Sequence, residues 1–252
     1  MQKKLEMKII ISDSYEDLSR AAARDILQLL QPLASPLICI ASGDTPAGLY
    51  KEMVDQVNRK NINTSEWNYV GLDEWMGMNG YDEGSCRYYI DQQVFDPLNV
   101  PIRRIAFFDG TVSDPAKECE RVERFIQAHK KIDIAILGLG MNGHIGMNEP
   151  GTSASLRSHV SKLDPQTQEV GQKYFKSKTA LTNGLTLGMA TILEAKHIFL
   201  LVSGAKKASI AGKMITEEIS EQLPCTLLRN HTGLRIYLDK EAATQLPPNY
   251  QQ

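Results

Sequence analysis

The stretch from Ile132 to Gly151, IDIAILGLGMNGHIGMNEPG, limits what this chain can fold into more than any other. It begins as a short apolar run rich in isoleucine. That is the pattern of a strand buried on both faces within a parallel sheet. It then breaks into glycines at positions 138, 140, 143, 146 and 151, which allow positive φ and a close approach of backbone to ligand. One imidazole (His144), one carboxylate (Glu149) and two carboxamides (Asn142 and Asn148) are set into that loop. Polar groups clustered where a buried strand ends mark the place where open α/β sheets bind ligands.

The rest of the chain repeats the arrangement. Residues 8–12 predict a first strand. Ser14, with Asp17 three residues on, predicts a helix start. Leu18, Ala22, Ile26 and Leu30 then form one apolar stripe, and Pro32 and Pro36 end the helix. Residues 36–41 predict a second strand that runs into Ser42-Gly43-Asp44-Thr45-Pro46 and a helix over about 47–58. The free N–H groups of such a helix start, with hydroxyls beside them, suit a phosphate. The spacing is neither a P-loop nor a dinucleotide fingerprint. A third strand over 67–72 delivers Asp73 and Glu74 at its carboxyl end. Ser85 predicts a helix through Val94, and residues 103–108 predict a fourth strand. Asp114 and Pro115 predict a helix to His129, with Cys119, Val122 and Phe125 inward. Residues 180–193 predict a short turn and then a helix. A buried strand over 197–202 ends in Ser203-Gly204-Ala205-Lys206-Lys207, and residues 224–228 and 234–238 predict the last strands. The tail from Gln245 reads as frayed. Strands that alternate with helices predict an α/β fold: one domain over 1–252, built on a mostly parallel, doubly wound, Rossmann-like sheet with helices on both faces.

Charge narrows the ligand. The net charge of −2 offers no global field for nucleic acid, so an anionic small molecule must be met by local cations. The segment 153–178 is the most basic, with Arg157, His159, Lys162, Lys173, Lys176 and Lys178. It directly follows the glycine loop, so a lid over about 153–180 that supplies cations is expected. Lys207, at a helix start, opposes the helix dipole and calls for a counter-charge, read here as ligand phosphate. No apolar run is long enough to span a bilayer, and the opening residues lack the apolar core of a signal peptide. Cys39, Cys86, Cys119 and Cys225 form no CxxC pair and no metal-ligand spacing. A cytoplasmic protein with no membrane partner is expected.

Gathered in one crevice, the turn at 42–45, Asp73, the loop at 142–149 and Lys207 offer a phosphate grip, a carboxylate base and a His–Glu pair. There is no metal cluster, no dinucleotide fingerprint and no GxSxG elbow. The inventory favours acid–base chemistry on a phosphorylated metabolite that carries its own electrophile, such as the latent carbonyl of a sugar.

Four stretches carry a resemblance: SGDTP (42–46), LDEW (72–75), GLGMNGHIGMNEPG (138–151) and ALTNGLTLGMATILEAKHIFLLVSGAKKA (180–208). They resemble the hexosamine-6-phosphate deaminase family, which shares a fold with the 6-phosphogluconolactonases. The resemblance runs from the first strand to about Leu238 and is nearest to the galactosamine-6-phosphate members. It implies a deaminating aldose–ketose isomerase that needs no cofactor or metal and acts on galactosamine- or glucosamine-6-phosphate. It also implies the hydrolase, isomerase and deaminase classes of amino-sugar metabolism. By resemblance, His144 opens the pyranose ring with Glu149 holding its tautomer, and Asp73 moves a proton from C2 to C1. Ser42, Gly43, Thr45 and Lys207 match the phosphate-binding positions. Lys173 falls where the glucosamine enzymes carry an arginine, and keeps the charge but not the bidentate fork. Asn142 stands where many members have aspartate, which leaves Glu149 as the charged partner of His144. Asp44 replaces a common glycine and would repel phosphate unless it points away. The expected partner is a small-molecule sugar phosphate. Family members differ in assembly, so a homo-oligomer is also expected. The alternatives are a 6-phosphogluconolactonase, disfavoured because Ile-Gly-Met-Asn-Glu-Pro follows the histidine, and a non-catalytic sugar-phosphate sensor, disfavoured by the joint presence of Asp73, His144 and Glu149.

Overall fold

Ser14 starts the first helix as its spacing predicts: its hydroxyl oxygen accepts the Asp17 N–H at 3.1 Å. The computed structural model, which describes residues 7–250, places strand β1 (Lys8–Ser12) before this helix, α1 (Tyr15–Leu30). There follow β2 (Leu37–Ile40), α2 (Asp44–Lys60), β3 (Asn68–Gly71), β4 (Asp73–Trp75) and α3 (Cys86–Ile90), which runs on into a π-helical turn over Asp91–Phe95. Next come β5 (Ile105–Ala106), α4 (Pro115–Ala128), β6 (Ile134–Gly138), β7 (His159–Lys162), α5 (Pro165–Gly171) and β8 (Asn183–Thr186). The described chain closes with α6 (Met189–Leu193), β9 (His197–Val202), α7 (Ala208–Thr216), β10 (Leu234–Asp239) and α8 (Lys240–Ala243).

Seven strands form a parallel sheet in the order β1-β10-β9-β6-β2-β3-β5. Its central strands β2 and β6 are unbroken apolar runs because both faces are covered. On β2, Leu37 and Cys39 join the core on one side, while Ile38 and Ile40 join the core on the other. The same alternation divides Ala135 and Leu137 from Ile134 and Ile136 on β6. Helices α1 and α2 supply Leu18, Ile26, Leu49 and Tyr50 to the second core, and α4 and α7 supply Val122, Ile126, Ala211 and Met214 to the first. Each buried aliphatic side chain stabilises by about 1.5–3 kcal/mol, so both layers hold the sheet. This is the doubly wound α/β fold expected from the sequence.

The order also locates the site. From β2 the chain builds outward through β3 and β5; from β6 it builds the other way through β9 and β10. β2 and β6 are neighbours, so the loops at their carboxyl ends diverge and leave a crevice at the switch point.

A second, antiparallel sheet, β4-β8-β7, stands beside this crevice. Asp73 and Glu74, delivered just past the end of β3 as expected, open β4 of this sheet. The sheet corrects one expectation: residues 183–186, expected within a turn followed by a helix, pair with β4 as β8. The expected strand over 103–108 is a 3-10 turn (Ile102–Arg104) followed by the two residues of β5. Residues 224–228 form a 3-10 helix (Pro224–Asn230) instead of a strand, because proline at its first position withholds a ladder donor. Helix α2 begins at Asp44, three residues before the expected start, so Pro46 lies in its first turn. The expected fraying of the tail falls partly outside the described residues; Pro248–Tyr250 form a 3-10 turn.

Candidate active site

The turn after β2 is shaped by Gly43, whose φ of 127° is open to glycine and strained for other residues. No side chain caps the α2 N-terminus that follows. The Tyr15 hydroxyl steadies its first turn, accepting the Gly48 N–H at 2.7 Å and donating to the Asp44 carbonyl at 2.7 Å. The open N–H groups and the Ser42 and Thr45 side chains border a cavity of ≈ 1030 Å³ at the switch point.

Opposite lies Lys207, whose ammonium donates to the Leu139 carbonyl at 2.5 Å. Burial, together with the charge of Lys173, lowers its pKa to about 8. The Lys173 charge thus disfavours that of Lys207, a cost that an anion between the two would offset. Lys173 donates to Asp44 Oδ2 at 2.6 Å and lies 4.9 Å from the centre of the Tyr174 ring. Asp44 is therefore paired, which answers the repulsion that the sequence raised. The other expected lid cations are engaged elsewhere or do not line the cavity. Arg157 binds Glu123 and Glu194, and Lys176 binds Glu83. His159, Lys162 and Lys178 are absent from the cavity wall, where Lys173 is present.

Asp73 enters from β4. It is 9% exposed, and burial pushes its carboxyl up to about 7. Successive strand residues face opposite ways, and Glu74 is fully buried on the other side. Its Oε1 accepts the N–H groups of Trp75 and Cys86, and its Oε2 that of Arg87, each at 2.9 Å. Of the two adjacent acids, one faces the cavity and one ties down the start of α3.

His144 sits in the loop after β6. Gly140 is a requirement of this geometry: a Cβ there would stand 2.5 Å from the imidazole ring. The Asn142 amide donates to Glu149 Oε2 at 2.8 Å, and a carboxylate only accepts, so Asn142 Oδ1 must face the histidine. It accepts the His144 backbone N–H at 3.1 Å and the ring Nδ1–H at 2.7 Å. The proton thus resides on Nδ1, and Nε2 carries a free lone pair. Glu149 stands 3.6 Å from Nδ1, behind Asn142 and outside the cavity wall. The expectation that Glu149 holds the tautomer directly is corrected: Asn142 holds it, and Glu149 holds Asn142. Thr167 Oγ1, 3.1 Å from Nδ1, was not expected; it lies in the segment read only for its cations. Burial lowers the pKa of His144 foremost. The Lys207 charge adds to this and Glu149 opposes it, so the ring is neutral at pH 7.

The structure brings Ser42, Gly43, Thr45, Asp73, Asn142, His144, Lys173 and Lys207 to one cavity, with Glu149 immediately behind. Among the described residues no group of three or more His, Cys, Asp or Glu could hold a metal ion, and no helix is long and apolar enough to cross a membrane.

A family model described as glucosamine-6-phosphate isomerases/6-phosphogluconolactonase matches residues 13–237. The chain belongs to this family. Glucosamine-6-phosphate deaminase of Clostridium acetobutylicum is 36% identical over 241 residues, covering 95% of this chain and all of its own. Glucosamine-6-phosphate deaminase 1 of Bacillus subtilis is 34% identical over 242 residues, covering 96% of this chain and all of its own. Among solved structures, a monomeric glucosamine-6-phosphate deaminase superposes with a TM-score of 0.92 at 34% identity, covering 95% of this chain and all of its own. The 6-phosphogluconolactonase of Trypanosoma brucei superposes with a TM-score of 0.74 at 20% identity, covering 96% of this chain and all of its own; it shares the fold. The hydrolase class expected from the sequence is corrected: the family description and the relatives' names speak of isomerases and deaminases.

Proposed function

We propose that this protein deaminates an amino-sugar 6-phosphate, converting glucosamine-6-phosphate to fructose-6-phosphate and ammonia, with the galactosamine epimer, leading to tagatose-6-phosphate, as a variant substrate. The observation that carries this reading is one cavity in which a lysine pair faces the α2 N-terminus while a buried carboxylate and an imidazole Nε2 share the remaining wall. The relatives reported above are named for glucosamine, which favours that epimer over the galactosamine lean of the sequence.

The phosphate binds to the N–H groups of the 42–45 turn, the Ser42 and Thr45 hydroxyls, Lys207 and Lys173. Nε2 of His144 takes the C1 hydroxyl proton and returns it to the ring oxygen, opening the pyranose to the aldehyde. Asp73 removes the C2 proton and delivers a proton to C1. The product is a 2-imino ketose; water adds at C2 and ammonia leaves. A carboxyl at about 7 suits this shuttle, because it accepts and gives back a proton near neutral pH. The segment 153–180 acts as a lid through Thr167 and Lys173. Ammonia release measured on glucosamine-6-phosphate and galactosamine-6-phosphate side by side tests the reading. Release from neither overturns it.

Lys207→Ala is expected to raise KM about 30-fold or more with little change in kcat, since the phosphate is far from the reacting carbons. Unphosphorylated amino sugars should bind as before; equal weakening for them would remove Lys207 from the phosphate site. In the free enzyme the ammonium is lost as pH rises through about 8, so KM for the wild type should climb there.

A monomer is the assembly we favour, because one deaminase of known structure that this chain resembles is described as monomeric; the homo-oligomer is the competing proposal. The four cysteines are free and buried, which suits the cytoplasm.

A further inference from the structure

Cys86 takes no part in the chemistry above, yet it lines the same cavity as Asp73 and Ser42. It is the first residue of α3, and its N–H donates to Glu74 Oε1 at 2.9 Å. Glu74 directly follows Asp73 and also accepts the Arg87 N–H, so the start of α3 is pinned to β4. That fastening sets the Cys86 thiol, in a residue only 3% exposed, on the cavity wall that it shares with the Asp73 carboxylate and the Ser42 hydroxyl.

We propose that Cys86 is a positioning residue: its S–H donates to one oxygen of Asp73 and leaves the other oxygen aimed at the substrate's C2 hydrogen. The proposal rests on Asp73 being the base. Burial keeps the Cys86 thiol protonated, so it acts as donor and not as thiolate. The other titratable groups facing Asp73 supply no competing donor to it. The Cys39 thiol of β2 and the Tyr50 hydroxyl of α2 are held neutral by burial, and Tyr50 donates to the Ala41 carbonyl. The Glu74 carboxylate of β4 is directed at its three backbone N–H groups. A donor to the charged form favours that form, so the thiol works against burial and lowers the carboxyl's pKa.

The test is the acid limb of the pH profile of kcat/KM for ammonia release. Cys86→Ala is expected to move that limb up by about half to one pH unit, a loss of about three- to tenfold at pH 6. Cys86→Ser keeps a donor, a stronger one, and should hold the limb at or below the wild-type position. KM for the phosphorylated sugar on the alkaline side should stay within about twofold in both, because the grip on phosphate is intact. Should the alanine variant fail to fold, Cys86→Val fills the space without a donor and must show the same upward shift. An unmoved limb in the donor-free variant, or an equal shift in the serine variant, overturns the proposal. Asp73→Asn separates the two levels. If it still releases ammonia, the base assignment itself fails. If it is dead while the limb of Cys86→Ala stays in place, only the thiol's role fails.

Discussion

Asp73→Asn is expected to lower kcat for ammonia release by about 10³-fold or more, while the Kd for sugar phosphate changes by less than about threefold. The amide fills the same space, and the phosphate is held by other elements. A fold loss would mimic the first effect, so stability must be read with it. Burial raises the folded carboxyl to about 7, whereas the unfolded chain releases that proton near 4. Between these values the folded state holds more protons than the unfolded state. Wild-type stability therefore falls as pH rises through that window. Asparagine carries no such penalty. The variant is thus expected to melt above the wild type at pH 8, by a margin that closes below about pH 4. Thermal denaturation at the two pH values checks this. A dead variant that is also less stable at pH 8 would point to a structural role for Asp73. A stable variant with wild-type turnover would remove it from the chemistry.

The same burial explains what the sequence did and did not disclose. Strands such as Ile134–Gly138 were legible because a sheet covered on both faces needs unbroken apolar runs. The turn at Ser42–Thr45 and the loop at Asn142–Glu149 were legible because glycine and polar residues clustered at strand ends have few other uses. Residues 183–186 were not legible as a strand. Asn183-Gly184-Leu185-Thr186 has turn composition, and only pairing with Asp73–Trp75 makes it extended. A Cβ at Gly184 would stand 2.0 Å from the Met147 sulfur, so that side chain would have to move aside. Adjacent acids gave no sign of which would face the cavity; the strand's alternation decides that. Cys86 and Thr167 reach the site across long gaps in sequence and belong to no spacing rule. A thiol or hydroxyl at a helix start reads as a cap or a core residue until the fold shows what it touches.

His144→Gln is expected to reduce kcat by about 10²-fold on the natural, ring-closed substrate. The reason lies in the order Glu149, Asn142, His144. Asn142 has two ends, and the carboxylate fixes which end faces the imidazole. The ring is thereby held as the Nδ1–H tautomer, and glutamine offers the cavity no comparable base. Ring opening is the step that needs Nε2; the later proton shift between C2 and C1 needs Asp73. On a 4,5-dideoxy analogue, which has no hydroxyl to close either a pyranose or a furanose, the variant should lose less than about threefold. The pH profiles should part in the same way. Both groups must be unprotonated for the natural substrate, and Asp73, at about 7, titrates above the lowered imidazole. With the natural substrate the acid side should therefore fall with two protons, first at Asp73 and then at His144. With the open-chain analogue it should fall with one. Equal losses on the two substrates, or two-proton limbs for both, would move His144 from ring opening to the isomerisation step and leave Asn142 and Glu149 without the purpose their geometry gives them.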